Sequence, residues 1–193
     1  MSRLRDEPLD TAAPPRRDPD RPPDTGGLPG STRWLDEAET AAWVALAGMA
    51  AALPAALDSQ LQRDAGIGFV DYQVLSWLSM APARTARMSV VAEMATISQS
   101  HACRVVARLE RRGWVRRVPD PDDGRGTLAE LTEAGWRTVV AAAPGHVSQV
   151  QRLVFDNLSA TQVAHLEQIG RRVLGAIHPG HCMRVPIGVV VDA

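Results

Sequence analysis

The chain has 193 residues and a formal net charge of −1, so it has room for one domain of ordinary size with terminal tails. It has no unbroken run of 18 apolar residues, no secretory leader, and no pairing pattern or CxxC spacing for its two cysteines. These features argue against a membrane span, export and a disulfide scaffold, and they predict a cytoplasmic protein whose nucleic-acid surface, if any, is local.

Residues 1–32 are predicted to form a disordered tail. They hold half of the chain's 14 prolines, interleaved with aspartate and arginine, and few large apolar side chains. Such a segment buries too little apolar surface to offset the entropy lost on ordering. The alternative is an arm that contacts DNA, but acids slightly outnumber arginines in the segment.

A long first helix is predicted. Asp36 and Glu39 have the spacing of a capping box, and apolar residues at helical spacing follow to about Asp64. Pro54 lacks an N–H and its ring clashes with the preceding turn. We therefore predict a kink or a break near residues 50–53.

Three short elements are predicted next. Apolar spacing predicts a helix over residues 69–78, and a proline-containing connection predicts a loop over residues 84–87. A short helix over residues 89–95 then ends at a tight break at residues 96–97. Two helices joined by such a break are typical of a helix-turn-helix.

The helix after the break is the strongest candidate for a recognition helix. Ser98 is a suitable N-cap for a helix from Gln99 to about Arg112, and Gly113 is a suitable C′ residue. The apolar stripe consists of Ala102, Val105, Val106 and Leu109. The opposite face carries Gln99, Ser100, His101, Arg104, Arg108, Arg111 and Arg112. That face indicates base-edge and phosphate contacts, although a solvated arginine face is the alternative.

The following residues favour the DNA interpretation. Residues 114–118 alternate apolar and basic side chains, residues 120–126 form a turn cluster, and residues 127–131 predict a return strand. Thr132 then opens another helix. Helix, helix and two-stranded ribbon is the order of elements in a winged helix.

Helices are predicted to complete the chain. A helix over residues 133–143 is predicted to stop at Pro144, and the helical pattern resumes over residues 147–155. Ser159 and Gln162 have capping-box spacing at the start of a last helix.

Three motifs resemble the MarR (multiple-antibiotic-resistance regulator) family of bacterial transcription factors. They are Leu-Glu-Arg-Arg-Gly-Trp-Val at residues 109–115, Asp-Pro-x-Asp-x-Arg at residues 120–125, and Leu-Thr-x-x-Gly at residues 131–135. Each motif alone is weak, but the three together in this order are specific.

The resemblance implies a fold that is mainly α with a small two- to three-stranded β-wing. Residues 33–177 would form one domain, in which dimerisation helices at residues 33–68 and 136–177 flank a winged helix-turn-helix at residues 69–135. Residues 178–193 would be a C-terminal tail. The implied protein is a homodimer that binds a pseudo-palindromic operator in double-stranded DNA, as a repressor that a small-molecule effector relieves.

The resemblance also implies roles for individual residues. Arg125 of the wing would enter the minor groove and Asp123 would steady it, whereas an exposed hairpin ion pair is the alternative. Base edges would be contacted by Gln99, Ser100, His101 and Arg104. Phosphates would be contacted by Ser98 and Arg108.

Other functional sites are weaker hypotheses. Trp43 and Trp77 would flank an effector crevice, although packing in the core is the alternative. Metal binding by His178, His181 and Cys182 and redox sensing by Cys103 are alternatives that we do not favour. No catalytic arrangement and no phosphate loop is present in the sequence, so we expect neither an enzyme nor a cofactor. A protein-interaction module built on the winged helix is the remaining alternative.

Overall fold

The computed structural model describes residues 32–121 and 123–177, without the side chains of residues 124 and 125. The predictions for the two tails, including the cluster of His178, His181 and Cys182, lie outside the described residues. Within them, six helices and a three-stranded antiparallel sheet follow one another as the winged-helix prediction requires. The predicted fold class is therefore confirmed.

The first helix, α1 (Glu37–Ala65), begins at the predicted capping box. The Asp36 N–H donates to Oε2 of Glu39 over 3.1 Å, and the Glu39 N–H donates to Oδ1 of Asp36 over 2.8 Å. The helix continues through Pro54, so of the kink or break predicted there, the break is wrong. One missing N–H removes a single hydrogen bond from a 29-residue ladder, and the surrounding alanines have the highest helix propensity.

The apolar surface of α1 is largely uncovered within a single chain. An 18-residue window in it has a mean hydropathy of 1.7 and is 6% buried, so by length and composition alone this helix could cross a membrane. The stretch between Thr40 and Asp58 is 17 residues long and includes Gly48 and Pro54, so the helix contains no unbroken run of 18 apolar residues. One such helix is weak evidence for a membrane span, since core helices of other proteins have the same composition.

The winged helix-turn-helix begins with α2 (Phe69–Met80), followed by a 3-10 turn and strand β1 (Thr85–Arg87). The loop predicted at residues 84–87 is thus mostly a strand. Three residues are too few to show an alternating pattern, and β1 exists because it pairs with a strand more than 40 residues later, with Ala86 opposite Ala129.

Helices α3 (Met88–Met94) and α4 (Gln99–Arg111) follow as predicted. Between them Thr96 has a φ of +53°, which makes the connection tight enough for a helix-turn-helix. Gly113 has a φ of +72° directly after the C-cap of α4, a conformation that favours glycine.

The wing consists of β2 (Val115–Asp120) and β3 (Asp123–Leu131), with β3 in the centre of the sheet. Asp120 pairs with Asp123, so the strands extend into the residues predicted as a turn cluster. The turn is shorter than predicted because cross-strand pairing outweighs the turn preference of this aspartate-rich segment.

Helix α5 (Glu133–Leu153) is continuous, so the interruption predicted at Pro144 is also wrong. Pro144 is exposed, whereas Val139, Ala142 and Ala143 are buried. The packing of this buried face holds the helix together across one lost hydrogen bond.

The last helix, α6 (Ala160–Ile177), follows a 3-10 turn. Its predicted capping box is present: the Ser159 N–H donates to Oε1 of Gln162 over 2.8 Å, and the Gln162 N–H donates to Oγ of Ser159 over 3.3 Å.

The main hydrophobic core lies within the winged helix. It joins α2, α3, α4, the sheet and α5, and its fully buried members include Leu75, Leu78, Val105, Leu109 and Val115. Burying each such side chain contributes about 1.5–3 kcal/mol, so this core holds α4 firmly against the rest of the unit.

Candidate nucleic-acid interface

The orientation of α4 is set by its cap and its buried stripe. Oγ of Ser98 accepts a hydrogen bond from the His101 N–H over 3.2 Å, as predicted for an N-cap. The four residues of the predicted apolar stripe are completely buried. The opposite face of the helix therefore points away from the core.

The residues predicted to contact base edges lie on that outer face, near the N-terminal end of α4. Gln99, Ser100 and Arg104 are exposed and His101 is half-buried. Helix N-termini also carry unpaired backbone N–H groups and a partial positive charge, which favour phosphate oxygens. This end of α4 thus presents uncharged donors and acceptors together with one guanidinium group.

Arg108 occupies a different environment from the one predicted. Its Nε lies 3.1 Å and 3.0 Å from the two carboxylate oxygens of Asp71 in α2, and its Nη2 donates to Oδ1 as well. Hydrogen bonding to this carboxylate raises the pKa of Arg108. The side chain of Asp71 is 6% exposed, so the pair anchors α4 to α2. The predicted phosphate contact of Arg108 stays a prediction, and the geometry favours anchoring.

A second arginine holds the C-terminal end of α4. Nη1 of Arg112 donates to the carbonyl oxygen of Gly66 over 3.1 Å, and its guanidinium lies 4.7 Å from the ring centroid of Trp114. Gly66 has a φ of +64° and ends α1. Arg108 and Arg112, one helical turn apart, therefore contact the first turn of α2 and the residue that follows α1, respectively. The sequence carries no local signal for either contact.

The wing also contains ion pairs. Arg116 and Glu130 pair across β2 and β3 with an N···O distance of 2.6 Å, and Arg87 of β1 pairs with Asp120 at 2.6 Å. Asp123 is exposed. The side chain of Arg125 lies outside the described residues, so its pairing with Asp123 and its place in a minor groove stay predictions.

The predicted effector residues do not line the cavity found in the structure. Trp43 is 59% exposed on α1 and Trp77 is half-buried on α2. A cavity of about 390 Å³ lies elsewhere, between α1, the end of α5 and α6. Its lining is mainly apolar and consists of Met49, Ala52, Leu53, Ala56, Leu153, Val154, Asn157, Leu158, Gln162 and Leu166.

Comparison with known sequences gives a consistent result. The sequence profile of the MarR family matches residues 65–126. The chain is 35% identical over 71 residues to the multiple antibiotic resistance protein MarR of Escherichia coli strain K12, which covers 37% of this chain and 49% of that protein. It is 32% identical over 80 residues to the transcriptional repressor MprA of the same strain, covering 42% and 45%. The match therefore spans about half the length of these curated relatives.

Comparison with solved structures extends the similarity beyond that region. The crystal structure of Sco3205, a MarR family transcriptional regulator from Streptomyces coelicolor in complex with DNA, superposes with a TM-score of 0.74. The sequence identity is 42%, and the match covers 77% of this chain and 93% of Sco3205. Because the identity is 42% over most of both chains, the chain belongs to the MarR family.

Proposed function

We propose that this protein is a homodimeric transcriptional regulator that binds a pseudo-palindromic operator and represses transcription. The observation that carries the proposal is α4, whose apolar stripe is completely buried while its polar N-terminal end is exposed. Sco3205, which has the same fold at 42% identity, was solved in complex with DNA. Binding to chromosomal DNA also implies a cytoplasmic location.

The proposed contacts of α4 follow from the positions of its side chains, and those of the wing follow from its sequence motif. Gln99, Ser100, His101 and Arg104 face outward at the end of α4 that would enter the major groove, where amide and guanidinium groups distinguish bases. Ser98, beside the unpaired N–H groups of the helix, would contact a phosphate. Arg125, steadied by Asp123, would enter the minor groove.

A second copy of the chain is the proposed partner of the flanking helices. Large apolar side chains stay exposed along both α1 and α6, among them Val44, Met49, Ile169, Val173 and Ile177. An uncovered apolar surface of this size marks an interaction site, and a two-fold dimer would present two recognition helices to half-sites about one helical turn apart. The same contact would cover α1, so the proposal assigns this helix to a protein interface rather than to a membrane.

Light scattering after size-exclusion chromatography tests the dimer. Ile169→Glu places a charge in the proposed interface and should yield a monomer. Gln168→Glu introduces the same charge at the neighbouring exposed position and serves as the matched control. A wild-type protein that elutes as a monomer at micromolar concentration would contradict the dimer.

The repressor role is proposed from the relationship to MprA, and the effector from the cavity. The volume of about 390 Å³ is within the range of small-molecule sites, and the lining holds no charged side chain. An effector that fits it would be a neutral, largely apolar compound, because an unpaired charge is costly to bury. Effector binding would favour one of two spacings of the two recognition helices in the dimer. If neutral, apolar compounds that fit the cavity leave the affinity of the protein for DNA unchanged, the proposed effector site is contradicted.

DNA binding is tested directly by selecting duplexes from a random pool with the wild-type protein and measuring their affinity by fluorescence anisotropy at several salt concentrations. The selected duplex should bind at least a thousandfold more tightly than its scramble. Gln99→Ala should relax sequence preference, and Arg125→Ala should weaken binding to all sequences while reducing the salt slope by about one unit. Arg172→Ala, an exposed arginine on α6, is the control for net charge. Equal and steeply salt-dependent affinity for both duplexes would leave only non-specific contact.

A further inference from the structure

The turn end of the wing is built around the carboxylate of Asp120, the last residue of β2. Its side chain is 3% exposed. The guanidinium Nε of Arg87 lies 2.6 Å from its Oδ2, and the Arg87 side chain is 54% exposed. Arg87 belongs to β1, which lies on the other side of β3 from β2. The ion pair therefore connects the two outer strands of the sheet across the central one.

Gly126 of β3 leaves room for the buried side chain of Asp120. A Cβ at Gly126 would lie 2.8 Å from Cβ of Asp120, 3.1 Å from its Oδ2 and 3.2 Å from the carbonyl oxygen of Asp123. A distance of 2.8 Å between two Cβ atoms is essentially never seen in proteins, so a side chain at residue 126 would displace Asp120. Gly126 directly follows Arg125, the proposed minor-groove residue.

Arg87 also connects this cluster to the helix-turn-helix. It is the N-cap residue of α3, and α3 packs against α4. The hydrophobic core holds α3 and α4 in place, while the wing extends from the sheet beyond it. A buried carboxylate is costly without its cation, so Asp120 and Arg87 restrict each other's position more than an exposed pair would.

We propose that Arg87, Asp120 and Gly126 are positioning residues that fix the wing relative to the recognition helix. They hold the backbone of Arg125 in the position from which the wing would reach the minor groove while α4 occupies the major groove. The inference rests on the proposed DNA binding, and it adds residues that themselves need not contact DNA.

Asp120→Asn tests this proposal, because an effect through charge and an effect through the position of the wing would change DNA affinity in opposite directions. If Asp120 acted only through its charge, removing a negative charge near DNA would tighten binding. If Asp120 positions the wing, the variant should instead bind the selected duplex at least tenfold more weakly, as expected for the loss of the Arg125 contact. Glu130→Gln is the matched control, since it removes one acid from an exposed ion pair of the same sheet. That variant should bind as tightly as wild type or more tightly.

Gly126→Ala provides a second variant that changes no charge. It should weaken binding to the selected duplex as Asp120→Asn does, and it should reduce the salt slope in the direction expected for Arg125→Ala, because a displaced wing loses the contact of Arg125 although no charge is removed. Thermal unfolding confirms that each variant is folded at the assay temperature, and Gly126→Ala decides the question if Asp120→Asn is not. Wild-type affinity and discrimination in a folded Asp120→Asn or Gly126→Ala protein would overturn the proposal. A wild-type protein that selects no duplex would instead overturn the proposed function.

Discussion

Replacing Arg108 with glutamine separates the anchoring of the recognition helix from its contact with DNA. The guanidinium of Arg108 makes its hydrogen bonds to Asp71, whose carboxylate is almost completely buried beneath α4. Arg108→Gln leaves this carboxylate without a cation. The expected consequence is a less stable protein in which the position of α4 is less well fixed.

The size of the effect follows from the exposure of the two partners. Removing one partner of a fully buried ion pair costs about 3–5 kcal/mol, whereas exposed pairs contribute about 0–1 kcal/mol. Asp71 is 6% exposed and Arg108 is 42% exposed, so the pair lies between these limits. We expect Arg108→Gln to lower the free energy of unfolding by about 2 kcal/mol, which for a chain of this length lowers the Tm by about 4–8 °C.

Two measurements test this expectation. Urea unfolding at one fixed protein concentration gives the stability of wild type, Arg108→Gln and the control Arg111→Gln. Arg111 is exposed and its Nε donates only to the carbonyl oxygen of Ala107 over 3.4 Å, so the control should lose less than about 0.5 kcal/mol. The salt dependence of operator binding should keep its slope in Arg108→Gln. Equal stability of the two variants, together with a slope reduced by about 0.9, would show that Arg108 contacts a phosphate and not mainly Asp71.

Three further predictions concern local structure. Gly135→Ala would place a Cβ 2.1 Å from the carbonyl oxygen of Trp114, so we expect a loss of about 1–3 kcal/mol in urea unfolding, and wild-type stability would contradict the packing described. Ser98→Ala removes the N-cap of α4 and should cost about 1 kcal/mol, while Ser98→Asn, which also caps, should retain stability. Burial lowers the pKa of His146 from 6.5, so the folded state favours the neutral ring. Stability should therefore fall as the pH drops below about 6.5, and a His146→Phe protein with the same pH dependence would refute this cause.

The recognition helix and the caps could be predicted from the sequence because their determinants are local. The N-cap of α4 depends on Ser98 and the backbone within three residues of it. The capping boxes at Asp36 and Ser159 depend on pairs of residues with the same spacing. In each case the partners are neighbours in the chain, so spacing alone specifies the contact.

Two of the failures come from contacts between distant residues, whereas the continuation of α1 through Pro54 reflects the high helix propensity of the surrounding alanines. The breaks predicted at Pro54 and Pro144 follow correctly from the local effect of proline, but both helices continue. In α5 the buried face around Val139 outweighs the lost hydrogen bond. Strand β1 had no pattern of its own, since its structure depends on pairing with β3.

The same limitation applies to the arginines, and it changes how the charge of α4 should be interpreted. Six arginines occur between Arg104 and Arg117, which indicates a strongly basic surface. Arg108 and Arg112, however, are directed to Asp71 and to a carbonyl oxygen at the end of α1. A count of arginines along a helix therefore overestimates its contacts with phosphate, because the sequence does not show which guanidinium groups are bound within the protein.

Anchoring and DNA contact nevertheless depend on each other in this helix. Discrimination between bases requires that Gln99 and Arg104 be held in a fixed position, since a hydrogen bond to a base edge tolerates little displacement. The core fixes the apolar side of α4, Arg108 fixes its C-terminal half to α2, and Arg112 fixes it to the residue that follows α1. The proposed dimer contact and the cavity both involve α1, so a change in α1 would act on α4 through the contact of Arg112. We therefore expect Arg112 to connect a dimer contact or an effector to the proposed DNA contacts of α4.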